Sequence, residues 1–235
     1  KPITPLTTLA RVANHLALSQ QDQRNRLIIE QRTAQLREAL YSAVKMLSEA
    51  GTYNDEMTGS HMWRMADYCA VLARSLGWSE QDVENIHLAA PMHDTGKIGI
   101  PDNILKAPRK LTPEEWDIMK QHPVIGADIL GNSKAPLFKM AAEVSLGHHE
   151  KWDGSGYPSG LKGEEIPLTA RIVAIADVFD ALTMERPYKA AWTVEEAYQY
   201  LQDNAGKQFD PKLVAAFISQ DDQIRAVKAE WQERG

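Results

Sequence analysis

The chain is nearly devoid of cysteine: Cys69 is the only one in 235 residues. It cannot close a disulfide on itself, and thiolate-rich zinc or iron–sulfur sites are excluded. No apolar run is long enough to span a bilayer, and the first residues lack the apolar core of a signal peptide. These absences predict a cytoplasmic protein with no membrane partner. A basic surplus is missing too. The formal net charge is −6, which argues against sequence-independent DNA binding, because such binding depends on neutralising phosphates. If the protein handles a phosphate compound, the positive charge must be local, from metal ions or a few placed Lys and Arg residues. What remains is an ordinary globular balance, with 43% apolar and 25% charged residues, long enough for one sizeable domain plus an appendage.

Proline and glycine are absent between Pro5 and Gly51, and most of that stretch is expected to be helix. Ile29, Thr33, Leu36, Leu40, Ala43 and Leu47 fall near a/d spacing, whereas Gln20 to Arg26 is almost wholly polar. Two readings stay open: an exposed helix packing one stripe on the domain, or a signalling helix that pairs with a second copy as a homodimer. Beyond it the helical period dominates. Met62, Met65, Ala66, Cys69 and Leu72 share a face, and Gly77 supplies a stop. Ser79, Thr112 and Thr193 are candidate N-caps; Pro113 and the carboxylates after Thr112 suit a first helical turn. Ile172, Ile175, Ala176, Phe179 and Leu182 repeat at helical spacing, although the run could also pass for a buried strand. Trp152 to Pro167 is irregular, with four glycines and two prolines. The reading is an all-α domain with one long Gly/Pro-rich functional loop.

Five of the seven histidines sit in company that suggests chemistry. His93 and Asp94 are adjacent, as are His148 and His149; His61 and His122 open helical segments. His15 and His87 read as ordinary surface or core residues. Asp177 interrupts an apolar helix, and a buried carboxylate is costly unless it is paired or binds a metal. Imidazole and carboxylate without thiolate suit Mn, Fe, Ni or Zn. Consecutive helical residues point about 100° apart, so His93 and Asp94 would address a metal differently, and Asp94 could bridge two ions with its two oxygens. Lys97, three residues after Asp94, would share its face.

At these residues the sequence resembles the HD superfamily of metal-dependent phosphohydrolases, and its HD-GYP branch in particular. The match is carried by His93-Asp94-Thr95-Gly96-Lys97-Ile98-Gly99-Ile100-Pro101, His148-His149-Glu150, Asp153-Gly154-Ser155-Gly156-Tyr157-Pro158, Ala170-Arg171-Ile172, Ala176-Asp177-Val178-Phe179-Asp180-Ala181-Leu182 and Arg186-Pro187-Tyr188-Lys189. The resemblance implies an HD-type helical bundle and two divalent transition-metal ions. His61, His93, Asp94 and Asp177 would hold one ion, and Asp94, His122, His148 and His149 the other. Lys97, Arg186 and Lys189 would contact phosphates, and Tyr157 would shape the loop beside the substrate. Asp180 and Glu150 would orient ligands. The implied activity is hydrolysis of cyclic di-GMP to pGpG and then GMP, with water activated between two ions attacking phosphorus in line. Alternatives are a phosphodiesterase preferring linear pGpG, and a non-catalytic nucleotide-binding regulator.

Lys1-Pro2-Ile3 and the residues after it resemble the end of a response-regulator receiver domain. That resemblance predicts a receiver remnant over 1–18, a linker or signalling helix over 19–53 and the HD-GYP domain over 54–235, with a receiver domain and its sensor kinase as upstream partners. Some HD-GYP enzymes carry a glutamate four residues before the first histidine that helps hold a third ion. Here that position is Met57, with Glu56 beside it, so two ions are expected.

Overall fold

The computed structural model describes residues 5–52, 59–184 and 191–233. The expectations placed on Lys1-Pro2, Glu56, Met57, Arg186 and Lys189 lie outside them. Eleven α-helices follow in order among the described residues: α1 (Pro5–Thr52), α2 (Gly59–Ser75), α3 (Glu80–Ala89), α4 (Asp102–Leu105), α5 (Pro113–Met119), α6 (His122–Gly131), α7 (Pro136–Gly147), α8 (Leu168–Thr183), α9 (Val194–Asp203), α10 (Pro211–Ile218) and α11 (Asp221–Glu233). Short 3₁₀ turns occupy Ala90–Met92, Thr95–Gly99 and Gly163–Glu165. No strand forms among these residues beyond a bridge between Ala205 and Phe209. The architecture is all-α, and the apolar run of α8 is helix, not strand.

Helix ends follow the local chemistry. Ser79 Oγ accepts the backbone N–H of Asp82. Thr112 with Glu115, and Thr193 with Glu196, each form a reciprocal box in which side chain and backbone satisfy one another. Gly77, at φ 78°, adopts the left-handed conformation that ends α2.

The chain divides between Ala43 and Val44 into two units. Within the first, Ile29 and Leu36 are 63% and 71% exposed along α1. In the second, α2 packs on α3 and α8, α7 on α3 and α8, and α6 on α7. The stripe read from the sequence, Met62, Met65, Ala66, Cys69 and Leu72, is fully buried. Aromatic rings close the core: Phe179 meets Tyr68 and Phe217 edge-on, each at 5.1 Å between centroids, and stacks on Tyr198 at 5.5 Å. This scaffold holds the ends of α2, α6, α7 and the middle of α8 around one polar interior. No helix of the described residues is long and apolar enough to cross a membrane.

Candidate metal centre

The His93-Asp94 doublet is not on a regular helix. It forms the corner between the 3₁₀ turns Ala90–Met92 and Thr95–Gly99, with Asp94 at φ −98°, ψ 8°. The helical reading fails here because Pro91 and Gly96 flank the doublet, and neither supports α-helix. The corner still delivers what the spacing suggested. In a 3₁₀ turn residues three apart eclipse, and Lys97 Nζ lies 2.8 Å from Asp94 Oδ2. The corner is fixed from two sides. Ser145 Oγ on α7 donates to the His93 carbonyl at 2.9 Å. Gly96 packs so tightly on the start of α6 that an added Cβ would collide with the carbonyl of His122, so no other residue fits there.

Three histidines are oriented by one device. His93, His122 and His148 each direct Nδ1 to the carbonyl three residues earlier, those of Ala90, Met119 and Ser145, all at 2.8 Å. A carbonyl only accepts, so Nδ1 carries the hydrogen and Nε2 is left with its lone pair. His61 Nδ1 is held instead by Asp180, a wholly buried carboxylate that also accepts from Nε and Nη2 of Arg64.

The freed nitrogens converge on carboxylate oxygens. Asp94 divides its two: Oδ2 faces His93 Nε2 at 3.2 Å, while Oδ1 faces His122 Nε2 at 3.4 Å and His148 Nε2 at 3.7 Å. His61 Nε2 stands 3.6 Å from Asp177 Oδ1. Asp94, His122, His148 and His149 offer ligand atoms that all lie within 4.8 Å of one another. Two atoms bound at about 2.0–2.1 Å to one ion stand about 2.8–3.4 Å apart at octahedral or tetrahedral angles, close to the shorter of these separations. Among the described residues, His61 Nε2 and Asp94 Oδ1 are buried without a hydrogen-bond partner, and the His122 and His148 Nε2 atoms face each other at 3.5 Å. Buried acceptors facing acceptors are unfavourable unless a cation lies among them. The donor set therefore fits metal binding through imidazole and carboxylate ligands.

The electrostatics are those of a centre built for cations. Burial opposes a charged Asp94, but the neighbouring His93 and Lys97 outweigh it and hold the carboxyl well below the usual range. Burial opposes protonation of His61 too, yet the neighbouring Asp177 and Asp180 carboxylates outweigh it and carry it up to about 9, so a metal at Nε2 would displace a proton. Burial, then the nearby His148 ring, push His149 down to about 2, so that imidazole is neutral and ready to bind metal.

The Gly/Pro-rich loop closes one side. Glu150 is buried and takes the backbone N–H of Ser159 at 2.7 Å and of Leu161 at 3.0 Å. It holds the loop rather than a histidine, contrary to the expectation that it orients a ligand. Gly156 passes directly over the backbone of Glu150 and Lys151, where a Cβ would clash. That close approach delivers Tyr157 onto His149, stacked at 4.8 Å and 27°. Of the predicted site residues, His61, His93, Asp94, Lys97, His122, His148, His149, Tyr157 and Asp177 are brought together. The sequence reading missed Arg64, whose signal was its place three residues after His61 on a buried face, and Ser145, which carried no signal.

A family model described as HD domain matches residues 17–213. Over 225 residues the chain is 45% identical to the cyclic di-GMP phosphodiesterase response regulator RpfG of Xanthomonas campestris pv. campestris, covering 93% of this chain and 60% of that protein. It is 45% identical over 194 residues to the 3′3′-cGAMP-specific phosphodiesterase 2 of Vibrio cholerae, covering 83% of this chain and 37% of that one. The chain spans about half the length of the curated relatives it matches. The crystal structure of a cyclic GMP-AMP-specific phosphodiesterase from V. cholerae shares the fold, with a TM-score of 0.62 at 21% identity, covering 83% of this chain and 52% of that one. The helical bundle around the doublet and the segments from His93 to Pro101 and from Asp153 to Pro158 agree with that match, and the chain belongs to the HD domain family, in its HD-GYP branch.

Proposed function

We propose that this chain is a metal-dependent phosphodiesterase that hydrolyses cyclic di-GMP to linear pGpG and onward to GMP. One observation carries the reading: Asp94 splits its oxygens between His93 on one side and His122 with His148 on the other, at 3.2, 3.4 and 3.7 Å. In this reading His61, His93, Asp94 and Asp177 hold one ion. Asp94, His122, His148 and His149 hold the second. Fe, Mn, Ni or Zn all suit the donors. Bound there, two such ions would supply a nucleophile from water at neutral pH and stabilise negative charge on the phosphate oxygens.

The chain's own groups supply the rest. Lys97 holds its ammonium at the edge of the cluster, paired with Asp94, where it can neutralise a non-bridging phosphate oxygen. Tyr157 walls the site on the His149 side. Arg186 and Lys189 are assigned to the neighbouring phosphate, Arg186 as a bidentate fork. In the net reaction water adds across one phosphodiester: the P–O3′ bond breaks, a P–O bond to the water oxygen forms, and the freed 3′-oxygen leaves as a hydroxyl.

Two ions rather than three are expected, because Met57 offers a soft, neutral thioether where some relatives have a carboxylate. Metal analysis of the purified protein beside a Met57→Glu variant tests this; three tightly held ions in the parent would reject it. A second substrate reading, 3′3′-cGAMP, is favoured by the V. cholerae relative, and linear pGpG remains the third. Chromatography of products from cyclic di-GMP, 3′3′-cGAMP and pGpG, each with Mn, Fe, Ni and Zn, decides among them. No turnover of any dinucleotide with any metal would overturn the activity and leave the non-catalytic regulator.

Regulation by a receiver domain and its sensor kinase fits the response-regulator relative. A second copy is the partner proposed for the exposed Ile29 and Leu36. A full-length protein whose rate ignores a phosphoryl mimic would reject the first, and a monomer by sedimentation the second.

A further inference from the structure

Helix α5 is an unusual carrier for a tryptophan. None of its seven residues is buried, so it is ordered from its end rather than by a core. The Thr112–Glu115 box closes its first turn. Arg109 clasps the same Glu115 with both Nη atoms, at 2.6 and 2.7 Å. Fixed this way, α5 presents Trp116 with 44% of its surface exposed. Exposing an indole forgoes the largest apolar burial available to any side chain, which favours a use outside the core.

The indole stands beside the metal centre. Its ring meets Tyr157 edge-on at 6.1 Å between centroids and 76°. Tyr157 in turn stacks on His149 and lies 6.5 Å from the His122 ring. Aromatic rings therefore step outward from the cluster that faces phosphate to a half-exposed indole. Burial pushes the Tyr157 phenol well above its usual range, so that ring stays uncharged. In a nucleotide one ribose separates phosphate from base, a span that lets a base reach this aromatic corner while its phosphate stands at the cluster. Arg109 and Glu115 are committed to each other, so what this pair leaves to the corner is stacking.

We propose that Trp116 is a nucleobase-stacking residue, which binds a purine of the dinucleotide against the Trp116–Tyr157 corner and contributes to KM rather than to the chemical step. This rests on the proposed dinucleotide substrate. Base–aromatic stacking changes affinity by on the order of tenfold per base.

The test is calorimetric binding of GMP and of ribose 5-phosphate to the metal-loaded protein, in the parent, Trp116→Ala and Trp116→Phe. The parent is expected to bind GMP on the order of tenfold more tightly than ribose 5-phosphate. That base increment disappears in Trp116→Ala and persists in Trp116→Phe, while ribose 5-phosphate binds all three alike. An unchanged increment in Trp116→Ala, an increment absent from the parent, or equal weakening of both ligands overturns the proposal. Thermal melting checks that both variants fold, as a half-exposed position allows. A parent that shows the increment yet cleaves no dinucleotide would overturn the proposed activity and leave the stacking role standing.

Discussion

Replacing Asp180 by asparagine should weaken the fold and the metal centre together, by amounts that can be worked from its contacts. Asp180 is wholly buried and takes three donors on two oxygens: His61 Nδ1, and Nε and Nη2 of Arg64, the last at 2.8 Å. Asparagine keeps the shape but has one acceptor oxygen, and its NH₂ group would face a donor. Arg64 is 13% exposed, so its guanidinium keeps little access to water once unpaired. Breaking one side of a buried ion pair costs about 3–5 kcal/mol; the partial exposure of Arg64 favours the lower end, about 3. For a chain of this size each kcal/mol shifts the melting temperature by roughly 2–4 °C, so a drop of about 6–12 °C is expected in metal-free protein. The second effect reaches the metal. Asp180 fixes the hydrogen on His61 Nδ1 and so leaves Nε2 free to bind. Losing such a partner weakens metal affinity about 10- to 100-fold. Chelator-competition titration measures that term, and melting in excess chelator measures the other. An Arg64→Met control leaves His61 bound to Asp180 and should lower stability with a smaller change in metal affinity. If the asparagine protein melts within about 2 °C of the parent and holds its ions as tightly, the account of the His61–Asp180–Arg64 unit is wrong.

Asp94→Ala should remove metal from both sides of the centre and abolish turnover, since its two oxygens face the two histidine groups; a folded variant with full metal content would refute the bridging role. Arg186→Ala and Lys189→Ala should raise KM on the order of tenfold with metal content intact, and metal loss in either would show a structural role instead. Glu150→Ala should do likewise by releasing the N–H groups of Ser159 and Leu161, so unchanged kinetics would mean the loop needs no such anchor. Hydrogen bonds from Arg109, then from the Thr112 N–H, hold Glu115 down at about 2 against its ordinary 4.5. A depressed carboxyl stabilises the fold above its unfolded value and loses that contribution as pH falls from about 4.5 through about 2. Melting of Glu115→Gln across that window should show a shallower acid limb than the parent, and coincident limbs would contradict the clasp.

The sequence alone made most of the helices and the candidate ligands legible. Apolar spacing marked α2 but left α8 open between helix and strand, and the Thr112 and Thr193 caps lay where Thr and Glu stand three apart, because these signals are local and read within one turn. The candidate ligand types were legible for a similar reason: an Asp on an apolar helix and paired histidines are conspicuous against their neighbours. Tertiary structure decided how those groups are used. It locked the 3₁₀ corner of the doublet against α6, where Gly96 passes the His122 carbonyl. It gave Glu150 to the loop backbone, and it set Arg64 against Asp180, which lies 116 residues away in sequence. It also brought Trp116 to Tyr157. Such pairings are absent from any sequence window because they depend on which helices pack together, and packing is settled by the whole buried surface at once.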